Sequence, residues 1–278
     1  MDEISEHTPS LWANDEILQN WFLMGSPVPL GLLLASYWYF VLQVGPSYMS
    51  KRPPYNLTSV LAVYNVVQVL FSLRLFSTGA YILGTYGFFP TECSGDKYSE
   101  AHLLSLTGIY YFLLVKIIDL LDTVFFILRK KNNQASFLHI YHHSSMIILT
   151  WLSLKHEGNV VSIVFIGTLN SLVHVVMYTY YTLSAYPQFT KYLWWKKYLT
   201  KFQLAQFVIL IAQLVLEYKF ATCKPSYILV TTITLNLVLL IYLFSIFYIK
   251  TYTTKVKTNK TEKKSDDEVL LERLLPDD

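Results

Sequence analysis

Seven apolar stretches divide the chain, at about 27–45, 57–78, 101–128, 137–154, 160–181, 203–216 and 227–249, each parted from the next by a polar run. A helix needs roughly 20 mostly apolar residues to cross a ~30 Å hydrocarbon core, so each stretch reads as a membrane-spanning helix. The sixth is short and holds Gln203, Gln206 and Gln213, while the third is the longest and holds Lys116, Asp119 and Asp122. Ahead of them, 8–24 reads as a short helix lying in the interface, with Trp12, Trp21 and Phe22 at headgroup level. An ordered surface helix fits that stretch equally well. The pattern predicts an all-α polytopic membrane protein in three parts: an N-terminal segment 1–26, a seven-helix bundle 27–249, and a disordered polar tail 250–278.

Composition supports the membrane class. The 278 residues are 53% hydrophobic and only 15% charged, against about 25% charged in soluble domains. Residues 1–20 carry acids but no Lys or Arg, so no basic segment of the signal-peptide kind precedes the first span. The net charge of +3 gains meaning only on a topology. Of the 22 Lys and Arg, 16 fall on one alternate set of loops and four on the other, with Arg74 and Lys116 inside spans. The positive-inside rule then predicts a lumenal N-terminus and a cytosolic C-terminus. Cys93 and Cys223 fall in separate loops on the non-cytosolic side, where an oxidising compartment permits a disulfide between them.

Ionisable groups inside a span are costly and usually face a protein interior or cavity. Here they converge. His139, His142 and His143 stand at i, i+3 and i+4, one face of the fourth helix near its cytosolic entry. His174, on the fifth helix, reaches a similar depth from the other direction. The third helix delivers Lys116, Asp119, Asp122 and Thr123 before its end at Arg129, and the sixth begins with Thr200, Gln203 and Gln206. A lone His174 reads as a satisfied core histidine, Lys116 with Asp119 as a structural ion pair, and Asn170 as interhelical glue. Four imidazoles, two carboxylates and an ammonium at one depth read as a site.

Three chemistries suit such a cluster. A helical HxxHH resembles one box of the membrane di-iron desaturases and hydroxylases. The remaining His7, His102 and His156 lie elsewhere, which leaves two irons short of ligands. Seven spans also match the receptor count, but neither D-R-Y after the third span nor N-P-x-x-Y in the seventh is present. Acyl transfer without a metal fits best. Neutral imidazole attacks thioesters and serves as a base near pH 7. Donors such as Asn170, Tyr178 or Gln203 suit an oxyanion or enolate. Arg129, Lys130, Lys131, Lys196, Lys197 and Lys201 at the cytosolic mouth suit a polyanionic carrier such as coenzyme A, although topology alone also accounts for them.

Four ordered motifs resemble the ELO-type fatty acid elongases, the membrane 3-oxoacyl-CoA synthases: "KIIDLLDT" at 116–123, "HIYHH" at 139–143, "NSLVHVVMYTYY" at 170–181 and "TKFQLAQ" at 200–206. One departure is Asp119, where the family usually has Glu. The resemblance implies a bundle around an acyl-chain tunnel and condensation of a long-chain acyl-CoA with malonyl-CoA. The products are CO2, coenzyme A and a 3-oxoacyl-CoA two carbons longer. It implies no metal or redox cofactor, an endoplasmic reticulum membrane, and as partners the two CoA thioesters, the bilayer, a second copy and other enzymes of the elongation cycle, with no nucleic acid. It also implies His142 as acyl acceptor; on our reading His143 and His174 then assist malonyl decarboxylation and carbanion attack, and His139 completes the catalytic box. Gln134, ahead of the box, resembles members that act on polyunsaturated chains. The tail lacks a terminal dilysine signal and carries "DDEVLL" at 266–271, which looks like an acidic dileucine sorting motif.

Overall fold

A computed structural model of the chain describes residues 15–89, 99–156, 160–222 and 224–254. The cysteine pair expected to bridge, Cys93 and Cys223, lies outside the described residues. All regular structure among them is helical: α1 Asp15–Leu18, α2 Pro27–Tyr39, α3 Gly45–Ser50, α4 Thr58–Tyr86, α5 Glu100–Ile118, α6 Leu120–Leu128, α7 Phe137–His156, α8 Val161–Ser184, α9 Lys196–Phe220 and α10 Tyr227–Tyr248.

Five segments are long and apolar enough to cross a membrane: Pro27–Ser50, Thr58–Tyr86, Val161–Ser184, Lys196–Phe220 and Tyr227–Thr253. The protein is thus a polytopic membrane protein. The other two expected spans fall in α5–α6 and α7, the elements that carry Lys116, Asp119, Asp122 and the three clustered histidines. Their polar side chains lower the apolarity of helices that are otherwise of spanning length.

The long helices close into a ring in the order α4, α5, α7, α10, α9, α8 and back to α4, with α5 also touching α8 across the interior. Tyr64 meets Tyr178 while Gly79 meets Thr168, so α4 and α8 run antiparallel. Their tight seam needs a glycine. A Cβ on Gly79 would overlap Thr168 Oγ1 and stand 3.0 Å from Thr168 Cβ.

The first span is bent for a local reason. Pro46 has no N–H to continue the helical ladder, and the backbone widens to a π turn over Phe40–Val44, where the Gly45 N–H donates to Phe40 O. Gly45 also lets α6 approach, since Ile127 Cγ2 lies 3.0 Å from where its Cβ would be. This span packs outside the ring. Tyr37 Oη and Thr123 Oγ1 are 2.7 Å apart, and Trp38 Nε1 donates to Ser144 Oγ at 2.9 Å. Of the 8–24 stretch, residues 17–24 fold onto the bundle: Leu18 and Met24 are fully buried, and the Trp21 ring lies 4.7 Å from Tyr110.

The third stretch, read from sequence as one run, is interrupted at Asp119. Its backbone stays right-handed, and the Asp122 N–H tightens to Asp119 O at 3.1 Å. The sixth is longer than its apolar run, extending over Lys196–Phe220, which places Glu217 fully buried with Ser162 Oγ donating to it at 2.7 Å. Lys155, expected in a loop, is a buried residue of α7.

Candidate active site

The polar interior begins on α5. One helical turn separates Lys116 from Asp119, and their ion pair closes at 2.9 Å with 3% and 0% exposure. Such a pair is sustained only when further hydrogen bonds satisfy both ions. The neighbouring helices supply them. Tyr178 of α8 donates its hydroxyl to Asp119 Oδ1 at 3.1 Å and to Asp122 Oδ2 at 2.7 Å. From α4, Gln68 Nε2 donates to Asp119 Oδ1 and to Tyr64 Oη. The Lys116 ammonium lies 3.3 Å from each ring nitrogen of His174, and Asp119 Oδ2 lies 3.6 Å from His174 Nδ1. A carboxylate, an ammonium and an imidazole are held in one fully buried node by three helices.

The histidine box lies on α7 beside this node. Ring centroids are 4.3 Å apart for His139 and His143, and 5.4 Å for His142 and His143. Phe126 of α6 packs on His139; Phe207 of α9 and Phe244 of α10 pack edge-on against His142. The box is tied to the node by the packing of α7 against α5, the helix that carries Lys116. His139 Nε2, His142 Nδ1 and His143 Nδ1 are buried without a hydrogen-bond partner among the described residues. A buried polar atom is normally satisfied, so these nitrogens keep unused hydrogen-bonding capacity inside the bundle. Among the described residues no three His, Cys, Asp or Glu side chains converge as metal ligands.

Other residues singled out from sequence sort into three places. Asn170 and Gln206 are buried on the site-bearing helices, with Asn170 Oδ1 also unpartnered. Gln203 Nε2 reaches Met177 Sδ, at 3.7 Å. Thr123 is turned to Tyr37 of the outer span and does not join the node. Among the basic residues, Lys130, Lys131, Lys196, Lys197 and Lys201 are exposed and Arg129 half-buried, at the end of the bundle where α6 stops and α9 starts. Lys201 sits over the rings of Tyr198 and Tyr248.

Sequence reasoning missed Gln68 and Tyr64. A glutamine in a long apolar run was a signal, since α4 buries Asn65, Gln68, Ser72 and Gly79 on the face it turns inward.

Residues 22–261 match the ELO family, described as the GNS1/SUR4 family. The chain belongs to the ELO family. It is 38% identical over 260 residues to very long chain fatty acid elongase 5 of Xenopus tropicalis, covering 91% of this chain and 84% of that protein. Against very long chain fatty acid elongase 4 of Homo sapiens it is 39% identical over 254 residues, covering 89% and 79%. A very long chain fatty acid elongase of Aedes aegypti is 38% identical over 244 residues, covering 86% and 67%. Within this ELO-family chain all four motifs lie inside the matched region. The short Asp119 carboxylate engages Lys116, Tyr178 and Gln68.

Proposed function

We propose that this chain catalyses the condensing step of fatty acid elongation, joining a long-chain acyl-CoA to malonyl-CoA with release of CO2 and coenzyme A, and that its reaction runs through His142. Membership of the elongase family carries the reaction class. The observation that carries the residue assignment is the histidine box itself: unpartnered ring nitrogens buried beside the Lys116–Asp119–His174 node.

A neutral ring nitrogen of His142 attacks the acyl thioester carbonyl. The C–S bond breaks, coenzyme A leaves as thiolate, and the imidazole N–H proton passes to it. Malonyl-CoA then loses CO2, and its C2 carbanion attacks the acyl-imidazole carbonyl. The C–N bond breaks, the departing ring nitrogen takes up one proton from water, the proton that the net reaction consumes, and neutral imidazole returns as the 3-oxoacyl-CoA is released. His143 and His174 assist decarboxylation, with the Lys116 ammonium a fixed positive charge beside the developing enolate. His139, Asp122, Asn170, Tyr178, Gln203 and Gln206 support the site. No metal or redox cofactor enters this scheme.

The proposed setting is a seven-span bundle (27–249) with the acyl chain in its interior, a lumenal N-terminal segment and a cytosolic tail, in the endoplasmic reticulum membrane. Arg129, Lys130, Lys131, Lys196, Lys197 and Lys201 would meet the phosphates of coenzyme A at the cytosolic mouth. Polyunsaturated long chains are the proposed substrates, on the strength of Gln134.

The test is mass analysis of full-length protein incubated with acyl-CoA alone. A mass increase equal to the acyl group on the peptide containing His142, discharged by malonyl-CoA, is the expected result. Undiminished condensation by correctly folded His142→Ala would remove His142 from the mechanism, and no condensation with any of a panel of acyl-CoAs would remove the reaction.

A further inference from the structure

Arg74 stands near the middle of α4, 16 residues after Thr58 and 12 before Tyr86. At 1.5 Å per residue that is about 24 Å from one end and about 18 Å from the other. The α8 register agrees. Gly79 meets Thr168 on an antiparallel neighbour, which sets Arg74 level with about Val173, near the centre of Val161–Ser184. Yet Arg74 is exposed, and among the described residues it makes no hydrogen bond or ion pair. The inward face of α4 is a different one, carrying Asn65, Gln68, Ser72 and Gly79. Arg74 therefore faces the hydrocarbon of the bilayer.

That placement is costly. Arginine is among the least tolerated side chains at the bilayer centre, where it reaches water only by snorkelling with local bilayer thinning or water defects. The outer face of α4 also departs from the smooth apolar surface that lipid favours. Ser77, Ala80, Tyr81 and Gly84 are all exposed there, Tyr81 by 60%. A Cβ at Gly84 would meet nothing within 4 Å. Ala80 and Gly84 give the small-xxx-small spacing that lets another helix come close, and Arg74, Ser77 and Tyr81 follow at i, i+3 and i+7 along one side.

We propose that this face of α4 binds a transmembrane helix of another protein that presents a carboxylate at mid-membrane depth, paired with Arg74. Charge selects the partner class. A second copy supplies no such acid at mid-membrane depth, because Asp119, Asp122 and Glu217 are buried in their own bundle and the exposed Glu100 stands at the very start of α5. A two-fold contact through this face would also set two arginines against each other. A lipid phosphate lies at the headgroup level, about 15 Å from the midplane of a ~30 Å core.

The test uses the full-length chain in bilayers and synthetic transmembrane peptides of about 20 residues. One carries a single central Glu beside a small-residue face; its counterparts carry Gln or Leu at that position. Association is read by energy transfer. The Glu peptide is expected to bind about tenfold more tightly than the Leu peptide. Arg74→Leu should abolish that preference while leaving condensation activity unchanged, and Gly84→Leu should weaken the Glu peptide by closing the approach. Equal binding of the Glu and Leu peptides overturns the proposal, as does a preference that survives Arg74→Leu. Arg74-dependent energy transfer between two labelled copies overturns it by seating a second copy there. Competition of anionic lipid with the Glu peptide overturns it in favour of a headgroup.

Discussion

Tyr178 and Asp119 are 59 positions apart in sequence, and the tyrosine hydroxyl donates to Asp119 Oδ1 at 3.1 Å while also reaching Asp122 Oδ2 at 2.7 Å. One hydroxyl thus sits between two carboxylates that would otherwise repel each other in a buried site. Its position fixes the carboxylate that pairs with Lys116.

Removing that hydroxyl leaves the Asp122 oxygen without its donor. A buried acceptor stranded in this way costs about 1–3 kcal/mol. Tyr178→Phe is therefore expected to lower the unfolding midpoint of purified protein and to slow condensation by about tenfold, the rate equivalent of ~1.4 kcal/mol. Parent-like stability and turnover in the variant would show that Tyr178 does not hold the node.

Asp119 carries the shorter of the two acidic side chains, and Gln68 comes to meet it from α4. Lengthening the carboxylate by one methylene in a filled interior forces a misfit of about 1–3 kcal/mol. Asp119→Glu should therefore lower kcat/KM for malonyl-CoA. Gln68→Asn shortens the partner by the same methylene, so the double variant should recover part of the loss. Kinetic cycles of the four proteins measure the coupling, and additive losses would sink the idea.

The α4–α8 seam makes a sharper stability prediction. Thr168 Oγ1 is committed to Val164 O at 2.6 Å and cannot swing aside freely. Gly79→Ala should destabilise by about 1–3 kcal/mol through overpacking. Thr168→Ala removes the overlapping hydroxyl and should restore part of that loss in the double variant, read as thermal unfolding in detergent. Because Gln68 and Tyr178 lie on the same two helices, activity should follow stability in both proteins.

The groups that announced themselves in the sequence are those whose burial in a membrane is expensive. His139, His142, His143, His174, Lys116 and Asp119 stand out because hydrocarbon cannot satisfy them, and the structure does bring His174, Lys116 and Asp119 into contact. Gln68 and Tyr64 are cheaper in a span and gave a weaker signal. Which face of α4 turns inward depends on the ring closing through Gly79 and Thr168, a long-range fit that periodicity does not record. The break at Asp119 was invisible for another reason: it is one residue long, its backbone stays helical, and apolar residues continue on both sides. Lys155 and Glu217 looked like loop residues because apolar runs mark where hydrocarbon ends, whereas α7 and α9 extend past that point into protein.

The first span touches the histidine-bearing helix from outside, and its grip is testable. Trp38 Nε1 donates to Ser144 Oγ at 2.9 Å, and Ser144 directly follows His143. If this bond sets the rotation of α7, and with it the aim of the histidine box, then losing either partner should have the same effect. Trp38→Phe and Ser144→Ala are each expected to cost about 1 kcal/mol and to lower condensation at unchanged protein level. The double variant should be no worse than either single one, giving a coupling of about 1 kcal/mol. Neither side chain belongs to the polar node, so a lowered kcat with an unchanged KM for both thioesters would trace the loss to histidine placement. Independent, additive effects would instead make the first span a passive anchor.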